Sequence, residues 1–126
     1  MAAPNIVNVA TITGITTFKA GINTEAAGVS VIVTNPASSG KVLKINSLVA
    51  SGIGATTDVT VKLHNLAAGV GGSVSIATSV SVPTFSTLVV ISKENSIYVQ
   101  ENQSISAFKQ ADVGDIDIIC GLEDIS

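Results

Sequence analysis

The chain has 126 residues, of which 46% are hydrophobic, 12% are charged and only 3% are aromatic, and its net charge is −3. A hydrophobic chain with so little net charge is not a disordered one. All six basic residues are lysines, and without arginine or a basic run the sequence lacks the usual chemistry of nucleic-acid recognition.

Short runs of β-type residues follow one another along the chain. Val, Ile and Thr, whose branched side chains favour strands, supply 44 of the 126 residues. Glycine-rich, Asn-Pro and charged turn sequences separate the runs. Ten strands are therefore predicted, at residues 6–12, 15–20, 28–34, 41–50, 58–65, 74–82, 88–91, 97–100, 104–110 and 116–122.

The hydrophobic pattern of these runs predicts which side chains are buried. Residues 58–65 and 74–82 alternate apolar and polar side chains, as in a strand with one buried face. Residues 88–91 are apolar on both faces, which predicts cover on both sides. Burial is predicted for Val59, Val61, Leu63, Val74, Ile76, Val80 and Ile91.

These runs predict an all-β fold. No amphipathic helix longer than two turns is visible, and a single helical turn at most is expected at residues 23–27. Short strands at about ten-residue spacing are typical of a sandwich or a barrel, and an aromatic-poor core suits thin packing between two sheets. We therefore predict a single domain over residues 1–126, a two-sheet antiparallel β-sandwich, with the jelly roll as one candidate topology.

The N-terminal residues 1–9 are interpreted as an extended arm. Pro4 favours an extended backbone, and Ile6, Val7 and Val9 are suited to pairing with the sheet edge of a neighbour. The segment has neither a basic nor a long apolar section, so no signal peptide is predicted, and no run of 18 apolar residues predicts a membrane helix. The candidate interface residues are Ala2, Ala3, Pro4, Asn5, Ile6, Val7 and Asn8.

The sequence offers one histidine and one cysteine for catalysis. His64 falls on the outward face of its run and is interpreted as a surface residue. Cys120 shares a face with Ile116 and Ile118 and is interpreted as a buried, inert thiol. A cysteine nucleophile needs a histidine base in a polarised pocket, and no such set is visible. We therefore expect no catalytic residue and no enzyme activity.

Three carboxylates cluster at Asp112, Asp115 and Asp117. They fit a hairpin turn that leads into a strand, which is the favoured interpretation, or part of a calcium site. Glu94 and Glu101 make a weak glycosidase pair because they fall in turns without an aromatic platform. The two glycine-rich segments, residues 52–54 and 69–72, are not phosphate loops, since neither opens a helix. We expect no cofactor and assign no metal ligand.

Three segments appear in a familiar order: NIVNVATITG at residues 5–14, GKVLKINSL at 40–48 and SKENSIYVQEN at 92–102. With them, and over nearly its full length, the chain resembles the small virion structural proteins of contractile-tailed phages that infect marine cyanobacteria. The resemblance implies a particle subunit without enzyme activity, made in the host cytoplasm and located in the virion. It transfers no site residue, because these segments are strands rather than catalytic motifs.

The leading hypothesis is a capsid decoration protein, which bridges coat subunits from outside the shell and has the major capsid protein or another virion protein as its partner. The alternative is a neck, tail or fibre appendage for adhesion or host binding, with loops 51–57 and 67–73 at one end of the sandwich as its contacts. A weakly charged surface is easily desolvated, so we expect a homo-oligomer, with a trimer as one candidate state. Neither a nucleic acid nor a membrane is an expected partner.

Overall fold

A computed structural model describes residues 11–126 of the protein. The arm predicted at residues 1–9, with its seven candidate interface residues, and most of the run 6–12 lie outside this range. Within it, the chain forms nine strands and two short 3-10 turns, Ala67–Gly69 and Lys93–Asn95. The strands are β1 Ile12–Lys19, β2 Ser30–Asn35, β3 Val42–Ile53, β4 Thr57–His64, β5 Ser73–Val82, β6 Thr87–Ile91, β7 Ile97–Val99, β8 Gln103–Lys109 and β9 Asp115–Ile125.

The strands form two antiparallel sheets. Sheet A has the order β1-β9-β3-β6, with β7 pairing to β3 farther along the same edge, and sheet B has the order β2-β8-β4-β5. All of these pairings are antiparallel. The orders β1-β9-β3-β6 and β2-β8-β4-β5, with the first described strand beside the last, are those of a jelly roll, and β7 adds a fifth strand to sheet A. This confirms the predicted two-sheet sandwich and identifies its topology.

The core between the sheets is aliphatic. Its side chains come from both layers, with Ile45, Leu48 and Ile118 from sheet A and Val61 and Ile105 from sheet B, all fully buried. No Phe or Tyr belongs to this cluster among residues 11–126. Branched side chains of moderate size fill the narrow space between two facing sheets at high density.

The predicted strands match the observed ones closely from residue 28 onward. The N-terminal part of the described chain differs from the prediction, because β1 runs through Gly14, where a strand was expected to end. Residues 23–27 form a turn without a helix, and Thr24 makes a parallel bridge to Lys109. In the described range no helix is long and apolar enough to cross a membrane.

Of the seven residues predicted to be buried, three are buried, three are half-buried and one is exposed. Val59, Val61 and Ile91 are buried, while Leu63, Ile76 and Val80 are half-buried. Val74 is 65% exposed, so its predicted burial is wrong. It lies in β5, the edge strand of sheet B, beside an open cleft of about 250 Å³. Alternation predicts which face a side chain is on but not whether anything covers it.

The two loops expected at one end of the sandwich lie at opposite ends. Gly54, after β3, contacts Gly114 in the β8–β9 connection. Ala67, after β4, donates a backbone hydrogen bond to Oδ1 of Asn102 in the β7–β8 connection. Strand β4 separates the two loops by roughly 25 Å, given its eight residues. A single receptor-binding end made of both loops is therefore excluded.

We predict that Val61→Asp prevents soluble folding, because Val61 is fully buried and the carboxylate would enter the aliphatic core without a partner. Val74→Asp is the matched control, since Val74 lies on a neighbouring strand but is 65% exposed. Soluble yield and thermal unfolding measure both variants. If Val61→Asp unfolds at the temperature of the parent, the assignment of the core face is wrong.

Candidate functional site

Three of the four aromatic side chains are exposed. Phe18 in β1 is 72% exposed, Phe85 in the β5–β6 connection is 85% exposed and Tyr98 in β7 is 40% exposed. Phe108 is buried, but it lies outside the core cluster, with Nζ of Lys62 5.6 Å from its ring centroid. Aromatic rings usually dominate cores and interfaces. Here the rings are outside the core, which makes their surfaces candidates for contact.

An apolar row crosses the outer face of sheet A from edge to edge. Phe18 pairs with Ile119, Ile119 pairs with Val49, and Val49 pairs with Val89. Directly paired residues point to the same face of a sheet, so the four side chains are neighbours. Phe18, Ile119 and Val89 are 72%, 47% and 59% exposed. We call these four residues the apolar row.

The apolar row results from a bulge in β3. The pairing register between β3 and β9 shifts between Ile45 and Ser47. Because of this extra residue, Ile45 and Leu48 both face the core although they are three positions apart. Val49 therefore faces outward, opposite Ile119. Without the bulge, Val49 would share the inward face with Ile45.

Polar residues border the apolar row on both sides. The row nearest the β3–β4 connection is Thr87, Ser51 and Asp117, and the row on the other side is Ser47, Gly121 and Thr16. Beyond the second row, Lys44 lies between Tyr98 and Glu123. An apolar centre with a polar border is the usual composition of a protein–protein contact surface.

Phe85 is held on the surface by a strained turn. Its φ is +58°, a region that bulky residues rarely occupy. The Phe85 amide donates to the Gly52 carbonyl at 2.9 Å, and the Ser86 hydroxyl donates to the Pro83 carbonyl at 2.7 Å. Strain of this kind persists only where the surroundings enforce it, and it is common at functional sites. The ring is four residues from Val89 along the chain.

His64 is buried, so its predicted surface position is wrong. It is 6% exposed, and its Nε2 lies 2.6 Å from the Ser106 hydroxyl on the neighbouring strand. The β4–β5 connection folds back over this part of sheet B. The Ser104 hydroxyl donates to the Leu66 carbonyl at 2.7 Å and accepts from the Gly69 amide at 2.8 Å. Alternation placed His64 on the outer face correctly, but it did not predict the loop that covers it.

The His64 environment favours a neutral ring. Burial, and secondly the charge of Lys62, lower the pKa of His64 from its ordinary value of 6.5. Its Nδ1 is buried and has no hydrogen-bond partner in the described part of the chain. A catalytic triad would place an orienting acceptor there. His64 lines the cleft beside Val74, whereas Ser106 is fully buried and does not, so the hydroxyl of this pair is not accessible from the cleft.

Two of the three carboxylates near the β8–β9 turn have different partners. Asp112 is exposed, with its Oδ1 3.5 Å from Nζ of Lys109, and Oδ1 of Asp117 accepts from the Gly21 amide at 2.8 Å. Lys109 is buried and also donates to the Gly114 carbonyl at 2.9 Å. Between residues 11 and 126, no group of three or more His, Cys, Asp or Glu is placed to hold a metal ion. The geometry supports the structural turn.

Two of the three other candidate groups, Cys120 and Glu101, are engaged in the structure. Cys120 is a free, fully buried thiol, as predicted, and burial raises its pKa to about 12. Glu101 accepts from the Gly40 amide at 3.2 Å through its Oε2, whereas Glu94 is exposed in a 3-10 turn. Their positions give no support to a glycosidase pair.

The structural role of Asn35 was not predicted from the sequence. Asn35 is the last residue of β2 and is fully buried. Its Nδ2 donates to the carbonyls of Lys41 at 3.0 Å and Val99 at 3.1 Å, while its Oδ1 accepts from the Ser39 hydroxyl. These bonds fix the β2–β3 turn against β7. The Asn-Pro pair was interpreted only as a strand end. The apolar row was also missed, because its members are far apart in sequence.

Comparison with known proteins gives a fold likeness alone. No protein-family model matches the sequence, and no curated protein matches it. A solved structure of Bacillus endospore appendages, which form a novel family of disulfide-linked pili, contains a chain of similar fold. The TM-score is 0.55 at 14% sequence identity, and the alignment covers 100% of this chain and 96% of that one. At this identity, the likeness supports the β-sandwich and nothing more specific.

We predict that the protein loses stability as the pH falls from 7 to 5, and that His64→Gln reduces this loss. Since the folded pKa of His64 is lowered, the unfolded state binds the proton more readily below pH 6.5, so acid favours unfolding. Chemical denaturation at several pH values measures the slope. The chain has no other histidine. An unchanged slope in the variant would show that His64 is not the source.

Proposed function

We propose that the protein is a non-enzymatic structural subunit that joins a larger particle through the outer face of sheet A and the adjoining β5–β6 connection, which carries Phe85. The observation that carries the proposal is the exposure of Phe18 beside Ile119 and Val89, in a chain with only four aromatic residues. Exposed apolar side chains that form a continuous patch mark contact surfaces, and aromatic residues dominate many of them. With 12% charged residues, few ions need to be desolvated when the surface is covered.

Within this role we favour a capsid decoration protein of a phage virion. The resemblance of residues 5–14, 40–48 and 92–102 implies a virion subunit, and the position on the shell is our own proposal. A decoration protein bridges coat subunits from outside, so it needs a broad face that matches the shell. The five-stranded sheet A, with its apolar centre and polar border, suits that task. The partner is then the major capsid protein or another virion protein, and no cofactor takes part.

A neck, tail or fibre appendage is the second candidate, and the fold likeness to the Bacillus endospore appendage chain favours it. Those appendages are disulfide-linked. The present chain has one cysteine, and Cys120 is fully buried with its pKa raised to about 12. The Cys120 thiol is therefore not available for a link between subunits. An appendage built from this chain would depend on non-covalent contacts.

The absence of an accessible reactive pair among residues 11–126 supports a non-enzymatic role. The His64 ring and the Ser106 hydroxyl lie within hydrogen-bond distance of each other, and both residues are buried near the β4–β5 connection. A base must reach the proton that it removes from a substrate or nucleophile. This pair instead joins β4 to β8.

We predict that Phe18→Ser and Phe85→Ser each reduce binding to particles that lack the protein, by roughly 30-fold for an aromatic anchor worth about 2 kcal/mol. Val70→Ser is the matched control, because Val70 is an apolar residue with 54% exposure in the β4–β5 connection, away from sheet A. Co-sedimentation with the particles measures binding, and thermal unfolding verifies the fold.

Parental binding by both phenylalanine variants would contradict a contact through sheet A. Loss of binding only in Val70→Ser would place the contact on sheet B instead. Binding confined to the neck or tail of the particle would favour the appendage over the decoration protein.

A further inference from the structure

An open cleft separates the two sheets on the side of β1 and β2. Its volume is about 320 Å³. β1 is an edge strand of sheet A and β2 an edge strand of sheet B, and each pairs with one strand only within residues 11–126. The sandwich is therefore not closed on this side, in contrast to its fully buried centre.

The cleft has an apolar floor and a polar rim. Ile32, Leu43 and Leu122 form the floor, and each is nearly buried. Ile15 faces into the cleft from β1 but remains 40% exposed. At one end of the rim, Lys41 Nζ and Asp124 Oδ2 form an ion pair at 3.0 Å. The floor suits aliphatic side chains, and because the rim charges are already paired, they favour a bound segment without charged side chains.

The two edge strands offer backbone groups beside this floor. An edge strand presents a row of amide and carbonyl groups that can pair with an added strand. β1 has one lysine, Lys19, at its last position, so most of its length lacks the charged side chains that block such pairing. A short extended peptide with alternating aliphatic side chains therefore matches the site.

We propose that the cleft between β1 and β2 binds the N-terminal segment, residues 5–9, of a second copy of this chain. This inference rests on the proposed structural role and specifies one of its contacts. The segment reads Asn-Ile-Val-Asn-Val, which has no charged side chain and supplies three aliphatic ones. Residues 1–10 extended would reach roughly 33 Å, enough to cross to an adjacent subunit.

The direction of the chain at Thr11 favours a second copy over the same one. The Thr11 amide and carbonyl bond to Ser126 at 2.9 and 3.0 Å, which continues the β1–β9 ladder past Ile12. Thr11 therefore continues the direction of β1. Occupation of its own cleft would require a reversal immediately before Thr11, where Val9 and Ala10 are not turn-forming residues.

Disulfide crosslinking between two variants tests the proposal. One carries Ile6→Cys or, separately, Val7→Cys, since adjacent residues of a strand point in opposite directions. The other carries Thr17→Cys, which lines the cleft, together with Cys120→Ser, because Cys120 pairs directly with Thr17 and could form an intrachain disulfide with it. Mild oxidation of the mixture should give a crosslinked dimer. The control partner carries Thr16→Cys, which lies one position away on the outer face and should give at least tenfold less dimer.

Three outcomes would overturn the proposal. The first is a mixture in which neither arm variant crosslinks to Thr17→Cys, and the second is equal crosslinking to Thr16→Cys. The third is a crosslinked monomer without dimer from the double variant Ile6→Cys with Thr17→Cys, which would place the segment in its own cleft. The parent chain, with only the buried Cys120, is the blank.

The experiment uses no particle, so it separates this inference from the proposed function. Specific crosslinked dimers together with absent particle binding would support the cleft and contradict the decoration role. Particle binding without specific crosslinks would support the decoration role and contradict the proposed occupation of the cleft.

Discussion

The antiparallel ladder between β3 and β9 is the interaction on which the rest of the molecule depends. It joins Val42–Ile53 to Asp115–Ile125, so the end of the chain lies between β1 and β3 at the centre of sheet A. The inward side chains of both strands form much of the core, including Leu48 and Ile118. The outward pair Val49 and Ile119 forms the centre of the apolar row. One ladder therefore determines both the stability of the fold and its candidate contact face.

The composition of the core explains where the aromatic rings are found. Because Ile, Val and Leu fill the narrow space between the sheets, no ring is needed there, and none belongs to the core cluster within the described range. A ring on the surface contributes little to folding but a great deal to a contact, since covering it removes a large apolar area from water. Phe18 and Phe85 are therefore better explained by an interface than by the stability of the isolated subunit.

The sequence was sufficient to predict the strands and the two-sheet fold, because alternation and turn residues are local signals. It was not sufficient for features that depend on distant parts of the chain. Val74 has the pattern of a core residue but lies on an edge strand, and His64 has the pattern of a surface residue but lies under a loop. The apolar row depends on the bulge between Ile45 and Ser47, and no sequence motif predicts this bulge. Its members become neighbours only when four strands pair in register.

Electron cryomicroscopy of the intact particle tests most directly whether sheet A is a contact face. We predict that the density of each copy fits the jelly roll, with a neighbouring subunit covering the outer face of sheet A at Phe18 and the β5–β6 connection at Phe85. Even distribution of copies over the shell would agree with decoration. If Phe18 and Phe85 face solvent in every copy, and another surface of the copy contacts the particle, sheet A is not the contact face.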